Sequence, residues 1–378
     1  VRCAGCEHAP SARAWPGDGR KDPLAEPYEV HSYRTGIVAM QCEGRRLPEC
    51  VQALPILADF DTDVAVLQYL RDTTHAYGLD PTGALDTWVD DTRSVCYWQG
   101  VGCAAGRVES VVIRDRGLRM VLPANLSAMD ALKTLDLTDN VVEGTLPAEL
   151  GDMRSLEVLR LAGNTIQGTL PPALANLTRL RTLDVGRNQL EGSVPVELMG
   201  MKGLLELALN DNRLEGTIHA AVGDMHSLAQ LDLRRNGIGG TIPPEFGNLK
   251  RMYDLRLAEN KLWGSIPKEL GDMEELQILE LQLNELAGML PQELGQLKEA
   301  EIINMSQNAN LRGPFPESIR RLPKLHALML GQVYGGRHFN ESGLAKRNSG
   351  GDVEEPPGVP GPNGTTAPGV KGLPPGEY

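Results

Sequence analysis

The chain lacks both a long apolar segment and a run of lysine and arginine. None of its hydrophobic stretches approaches the roughly 18–20 residues that a membrane-spanning helix needs. The formal net charge is −13, and the basic residues are dispersed, which argues against nucleic acid and anionic membranes as main partners. The acidity is explained by solubility alone. We therefore predict no membrane span and no nucleic-acid partner.

Signatures of catalysis and of cofactor binding are missing as well. The sequence contains no P-loop, no H-E-x-x-H zinc motif, no G-x-S-x-G nucleophile turn and no kinase signature. Among the seven histidines, His219 and His226 are the closest pair, but they have no third metal ligand nearby. We therefore predict a protein that is not an enzyme and holds neither a cofactor nor a metal.

Cysteine is absent from most of the chain, since all six cysteines lie before residue 104. An even number confined to one region is typical of a disulfide framework in an oxidising compartment. Cys3 and Cys6 form a C-x-x-C pair, but the sequence after them does not favour the helix that a thioredoxin-like site requires. We favour disulfides among the first four cysteines, with redox activity or metal binding as alternatives. These four are Cys3, Cys6, Cys42 and Cys50.

The cysteine-free part is built from a repeat of 24 residues. About nine units and a degraded remnant occupy roughly residues 108–333. A glycine column and a proline column accompany the repeat, and a fixed period of this kind indicates a solenoid. An asparagine marks each unit: Asn140, Asn164, Asn188, Asn212, Asn236, Asn260, Asn284 and Asn308.

Each recurring position has a mechanical role. Leu132, Leu135 and Leu137 place apolar side chains on one side of a short strand. An asparagine amide can satisfy buried backbone groups where the chain bends, and glycine and proline suit the turn that follows. No unit can bury its apolar side alone, so we expect the units to stack in parallel around a shared core.

The template L-x-x-L-x-L-x-x-N-x-L-x-G-x-I-P resembles the plant-type extracellular leucine-rich repeat, as in receptor-like ectodomains and polygalacturonase inhibitors. This resemblance implies an α/β repeat fold. It would be a right-handed solenoid with a concave parallel β-sheet and short helices or 3-10 turns on the convex side.

The segment "CYWQGVGC", from Cys96 to Cys103, resembles the N-terminal cap of the same family. The resemblance implies a disulfide between these two cysteines; a zinc pair is the alternative, but no second Cys/His pair lies nearby. An amphipathic helix and Trp88 precede the motif, as the cap would require.

The chain divides by composition into four parts: an N-terminal extension (1–55), a cap (56–107), the repeats (108–335) and a Pro/Gly-rich tail (336–378) that we expect to be disordered. The family's C-terminal cysteine cap is missing. Because the chain begins with valine, we expect a processed form or a fragment. Five N-x-S/T sequons are candidate glycosylation sites, of which the third would face the concave side: Asn125, Asn176, Asn304, Asn340 and Asn363.

The variable positions carry the functional prediction. The residue between the last two apolar positions of each strand must point outward, because strand side chains alternate. This column reads Asp, Arg, Asp, Ala, Asp, Arg, Glu and Asn, and its alternating signs indicate either internal ion pairs or a polar surface for a partner. Including neighbouring columns and two aromatics, the predicted concave-face binding residues are Asp136, Arg160, Asp184, Arg187, Asp211, Asp232, Arg234, Arg235, Tyr253, Arg256, Trp263 and Glu280.

We predict an extracellular or cell-surface recognition module that binds a protein, a peptide or a cell-wall glycan on this face. About nine strands give a face roughly 40 Å long, which offers about 600–800 Å² per partner, close to a standard protein interface. The alternatives are an assembly subunit of a coat or filament, and the ectodomain of a larger receptor kinase.

Overall fold

The computed structural model describes residues 63–76, 80–88 and 95–330. Predictions that fall elsewhere lie outside the described residues. They concern the N-terminal extension, the Pro/Gly-rich tail and Cys3, Cys6, Cys42, Cys50, Asn340 and Asn363.

An eleven-stranded sheet runs through the described repeats, and its outward side is called the concave face below. The first two strands pair antiparallel, and every later strand adds in parallel with a register of one repeat, as in Leu135 opposite Leu159. The predicted leucine-rich-repeat solenoid is confirmed. The strands are β1 (Val101–Ala104), β2 (Arg107–Val112), β4 (Thr134–Asp136), β6 (Val158–Arg160), β8 (Thr182–Asp184), β10 (Glu206–Ala208), β12 (Gln230–Asp232), β14 (Asp254–Arg256), β16 (Ile278–Glu280), β18 (Ile302–Asn304) and β20 (Ala327–Met329).

A second set of parallel strands, which the sequence patterns did not predict, follows the asparagine of each repeat. It forms a five-stranded and a four-stranded sheet, joined by a single bridge between Thr217 and Gly239. We call this surface the second sheet. Its strands are β3 (Arg119–Val121), β5 (Val141–Thr145), β7 (Thr165–Gly168), β9 (Gln189–Ser193), β11 (Arg213–Glu215), β13 (Gly239–Gly240), β15 (Lys261–Gly264), β17 (Glu285–Gly288) and β19 (Asn310–Leu311).

Short 3-10 turns return the chain to the next strand on the convex side, as predicted. Most begin after the recurring proline and end at a buried leucine or methionine; Met153 and Met273, for example, are fully buried core residues. The last repeat replaces this turn with helix α2 (Glu317–Arg320). The 3-10 turns are Ala124–Ala128, Ala148–Asp152, Pro172–Asn176, Val196–Gly200, Ala220–Asp224, Pro244–Asn248, Lys268–Asp272 and Gln292–Gln296, with Val95–Tyr97 in the cap.

The asparagines turn inward and tie each repeat to the one before it. The amide nitrogen of Asn188 donates to the carbonyls of Leu161, Val185 and Gly186 at 2.9, 3.1 and 3.1 Å, and its oxygen accepts from the backbone N–H of Ile166 at 3.0 Å. Since buried backbone groups must be paired, this arrangement confirms the predicted role.

The cap covers the apolar end of the first repeat. Helix α1 (Asp63–Ala76) packs there, and the indole of Trp88 stacks on that of Trp98 at 5.2 Å between centroids. Cys96 and Cys103 form the expected disulfide. Arg107 on β2 contacts the carboxylate of Asp63 at 3.0 Å, which fastens the helix to the sheet.

Candidate functional site

Half of the predicted binding residues form a single column on the concave face. They share the last position of a strand, and their side chains point away from the core because the preceding leucine points into it. The column comprises Asp136, Arg160, Asp184, Asp232, Arg256 and Glu280.

Three more predicted residues lie in the turns that leave the concave strands. Arg187, Asp211 and Arg235 have φ of 51°, 53° and 53°, the left-handed region, which non-glycine residues adopt infrequently. They form ion pairs along the edge of the concave face. Arg187 contacts Asp139 at 2.9 Å, and Arg235 contacts Asp211 at 3.2 Å and Glu259 at 3.0 Å.

The two aromatic residues lie in different places. Tyr253 immediately precedes β14, at the border of the concave face. The placement of Trp263 on the concave face is wrong, because it lies on β15 of the second sheet with 54% of its surface exposed. The reason is the turn after Asn260, which redirects the chain into a strand whose side chains face another side of the solenoid.

At the N-terminal end of the column, the carboxylate of Asp136 is buried and hydrogen-bonded within the protein. Its side chain is 0% exposed, and it accepts hydrogen bonds from Arg114 at 2.8 Å and from the Thr138 hydroxyl at 2.7 Å. Burial opposes ionisation of this carboxyl, but these hydrogen bonds outweigh burial and lower its pKa. Asp136 therefore stabilises the fold and offers little to a partner.

Toward the C-terminal end, arginines also have internal partners. Arg234 contacts Asp232 at 2.7 Å and Glu280 at 3.2 Å, two strands away, while Arg256 contacts Asp254 at 2.7 Å. The alternating signs of the column therefore do not produce ion pairs between successive column members. The arginines reach adjacent columns or skip a strand instead.

The middle of the column is different. Asp184 makes no ion pair within the described residues, and the only hydrogen bond to its carboxylate there comes from the backbone N–H of Gly186 at 3.1 Å. Nearby, Arg160 contacts Glu206 at 3.5 Å. Burial raises the pKa of Asp184, and the neighbouring charge of Glu206 raises it further. Ala208 has a short side chain and Gly186 has none, and the amide of Asn210 lies beside Gly186. We call the surface beside the carboxylates of Asp184 and Glu206 the recess.

A row of apolar residues, which the sequence patterns did not predict, lies at the C-terminal end of the concave face. Ile278, Ile302 and Ala327 are direct neighbours in the sheet, and Met329 lies beside Asn304. All four are half-buried. The sequence does contain a sign of this row. At the position two residues before the column, Glu206, Gln230 and Asp254 are followed in the next repeats by isoleucine. We call Ile278, Ile302, Ala327 and Met329 the apolar ledge.

The three sequons within the described residues lie where the sequence placed them. Asn125 and Asn176 are in convex 3-10 turns. Asn304 ends β18 on the concave face, and its side-chain oxygen accepts from the N–H and the hydroxyl of Ser306 at 3.1 and 2.8 Å. Glycosylation at these positions stays a prediction.

Two substitutions should have opposite effects on stability. The pKa of Asp184 is raised in the folded protein. Its ionised carboxylate therefore lowers the stability of the fold at pH values above the unfolded pKa of about 3.9. We expect Asp184→Asn to be slightly stabilising at pH 7, by less than about 1 kcal/mol, with the advantage disappearing as pH falls below that value. Urea unfolding at pH 7 and pH 3 measures it.

Asp136→Asn is the matched control for this experiment. The pKa of Asp136 is lowered, so its ionised form adds stability above the unfolded pKa, and that stability is lost as pH falls through the folded pKa. The asparagine variant should therefore be less stable than the parent at pH 7. Equal signs for the two variants would contradict our description of the column.

Neither a cluster of metal ligands nor a membrane-spanning helix is found in the part of the chain that the structure describes. In residues 63–76, 80–88 and 95–330, no three His, Cys, Asp or Glu side chains come together as metal ligands would. Within the same residues, no helix combines the length and the apolarity needed to span a bilayer.

Comparison with known proteins finds two matching family models. The model described as "Leucine rich repeat" matches residues 154–214 and 178–238, and the model described as "Leucine rich repeat N-terminal domain" matches residues 60–104. Among curated proteins, the brassinosteroid LRR receptor kinase BRL3 of Oryza sativa subsp. japonica is 41% identical over 86 residues, covering 22% of this chain and 7% of that protein.

Solved structures of plant receptors are similar in fold. One is the LRR ectodomain of the Arabidopsis thaliana receptor kinase GASSHO1/SCHENGEN3 with CASPARIAN STRIP INTEGRITY FACTOR 2 (31% identity, TM-score 0.60, 65% of this chain and 33% of that one). Another is the Arabidopsis receptor kinase HAESA with the peptide hormone IDA and the co-receptor SERK1 (28%, 0.56, 71% and 53%). The chain thus spans between 7% and 53% of the length of these relatives.

Proposed function

Since the chain is a leucine-rich-repeat protein with the N-terminal cap of that family, we propose that it is a non-catalytic extracellular recognition module. Its concave face would bind an extended peptide segment of a protein partner. The observation that carries this proposal is the pair of unlike features on that face, the recess at Asp184 and the apolar ledge.

The recess is suited to a positively charged group. Arg160 forms an ion pair with Glu206 but not with Asp184. Burial and the charge of Glu206 raise the pKa of Asp184, although the charges of Arg160 and Arg187 lower it. A lysine or arginine of a partner would supply the missing positive charge and form charge-assisted hydrogen bonds. A carboxyl group whose ionised form is destabilised by its surroundings is typical of a position that serves binding at some expense to stability.

The ledge is suited to an apolar side chain at a defined distance. Asp184 is on β8 and Ile278 is on β16, four strand spacings away, which is about 19 Å at about 4.8 Å per strand. An extended peptide covers this distance with about six residues at about 3.3 Å each. A partner segment would therefore carry a basic residue and a large apolar residue about six positions apart.

The comparisons support a peptide ligand. HAESA, whose fold this chain shares over 71% of its length, is described in complex with a peptide hormone. The cap disulfide between Cys96 and Cys103 supports an extracellular location, because disulfides persist in oxidising compartments.

Selection from a random displayed peptide library tests the proposal. We expect enriched peptides to carry Lys or Arg and a large apolar residue about six positions apart. The double variant Asp184→Asn/Glu206→Gln should weaken their binding by at least about tenfold, because it leaves the basic residue unpaired. Ile302→Ser should weaken it through the ledge.

The matched control is Glu191→Gln, which removes a carboxylate from the second sheet and should leave affinity unchanged. Enriched peptides without the spacing, or undiminished affinity in the double variant, would remove the basis for this site.

A further inference from the structure

We infer that the second sheet carries a separate binding strip for an extended, neutral β-1,4-linked glycan, centred on the exposed indole of Trp263. The strip lies on another side of the solenoid from the concave face and does not depend on the peptide site proposed above. Four features support it: an aromatic platform, a row of hydroxyl groups, a bare strand and a balanced charge.

The aromatic platform is ringed by polar groups. Trp263 is 54% exposed and lies directly opposite Glu285 in the sheet. Lys261 begins the strand of Trp263, and Ser265 directly follows its end. Thr241 follows Gly240, which pairs with Leu262 on the other side. The face of an indole ring attracts the polarised C–H groups of a sugar ring. The surrounding side chains provide both hydrogen-bond donors and acceptors for sugar hydroxyls.

A row of exposed hydroxyls leads away from Trp263, one in each repeat. We call it the hydroxyl row. None of its members makes a side-chain hydrogen bond within the described part of the chain, whereas Thr138, Thr165 and Ser306 elsewhere bond internally. The row comprises Thr169, Ser193, Thr217, Thr241 and Ser265.

The following glycine of each repeat fixes the orientation of these threonines. A Cβ at Gly264 would lie 3.0 Å from the methyl of Thr241, and one at Gly240 would lie 2.8 Å from the methyl of Thr217. The methyl groups therefore fill the space beside the glycines, and the hydroxyls are left for contacts outside the protein. A linear ligand could receive hydrogen bonds from successive repeats.

The strand next to that of Trp263, β13, consists of two glycines, although the backbone at Gly239 does not require glycine. Gly239 has no positive φ, and a Cβ there would meet its nearest atom, the carbonyl oxygen of Lys261, at 3.6 Å, an ordinary contact. Three repeats earlier, Gln167 occupies the equivalent position. Glycine at this position therefore leaves a flat, open bed beside the indole, which suits a flat ribbon-like ligand.

The charges around the platform favour a neutral ligand. Lys261 and Arg213 are balanced by Glu285 and Glu215, so the surface has no excess of positive charge to hold an acidic polysaccharide. A β-1,4-linked chain is extended and presents flat ring faces, whereas an α-1,4-linked chain curls away from a flat bed.

Calorimetric titration with a β-1,4-linked glucose hexamer tests the inference, with the α-1,4-linked hexamer as control ligand. We expect the β-linked hexamer alone to bind. Trp263→Ala should weaken it by about tenfold or more, as loss of an aromatic anchor does. Gly239→Gln should weaken it comparably by covering the bed. Tyr97→Ala, which removes an exposed aromatic from the cap, should leave binding unchanged.

Thermal unfolding of each variant separates lost binding from lost structure, since both substitutions are on the surface. The inference is overturned if the β-linked hexamer does not bind, if both hexamers bind equally, or if Gly239→Gln binds like the parent. The double variant Asp184→Asn/Glu206→Gln should bind the hexamer normally, so the fate of the peptide site and that of this strip can be told apart.

Discussion

Replacing Asn188 with alanine should lower the free energy of unfolding by about 3–5 kcal/mol, because several buried polar groups lose their partners at once. The side chain makes three donor contacts to carbonyls and one acceptor contact to an N–H, and Asn188 is buried. Alanine leaves the carbonyl of Leu161 and the N–H of Ile166 without this partner.

Asn210→Ala is the matched control for Asn188→Ala. Asn210 is in the neighbouring repeat, is half-exposed and makes one side-chain hydrogen bond, to Asp211 at 2.7 Å. Its loss should be within about 1 kcal/mol. Urea unfolding combined with hydrogen exchange is the suitable measurement, because a stack of repeats need not unfold in one step. Similar losses for the two variants would show that the asparagine column does not hold the repeats together.

Trp88→Ala should lower the free energy of unfolding by a similar amount, but its effect should be confined to the cap and the first repeats. Trp88 is 2% exposed, stacks on Trp98 and donates from its indole nitrogen to the carbonyl of Gln99 at 2.9 Å. Removal of such a buried ring costs about 3–5 kcal/mol. Since each repeat contacts only its neighbours, we expect hydrogen-exchange protection to disappear first in β1, β2 and β4.

Tyr97→Ala provides the control for the cap, because Tyr97 is 77% exposed although it is next to Cys96. It should leave exchange unchanged. Loss of protection spread evenly over all repeats in Trp88→Ala would show that the solenoid unfolds as a single unit, and that the cap is not a local seal.

The fold could be predicted because every repeat must bury the same apolar positions and pair the same backbone groups. Leucines at 132, 135 and 137 recur in register, so one strand predicts all of them, and the asparagine column predicts the hydrogen bonds that close each turn. The second sheet escaped prediction because its strands are short and contain glycine, as in Gln189–Ser193, which weakens the strand signal.

The candidate site was predicted only in part, since it depends on what differs between repeats. The column through Asp184 follows from strand alternation, which the sequence reveals. The partners of each charge do not follow, because an arginine such as Arg234 reaches Glu280 across an intervening strand. Trp263 was assigned to the wrong face for a related reason. The sequence shows that its side chain points away from the core, but it does not show that its strand belongs to the second sheet.

The side-chain hydrogen bonds of the asparagine column all go to residues earlier in the chain. Asn140 accepts from Leu118 and donates to the carbonyl of Ile113 in the preceding repeat, and Asn164 likewise contacts Val142 and Leu137. Each amide also donates to a carbonyl three residues earlier in its own repeat. During synthesis from the N-terminus, each newly emerged coil would therefore tie its own turn to its predecessor, which is already made. The earliest coil needs no such residue of its own, and Arg116 stands there instead. Growth by duplication would then be simplest when whole units are added behind an existing one.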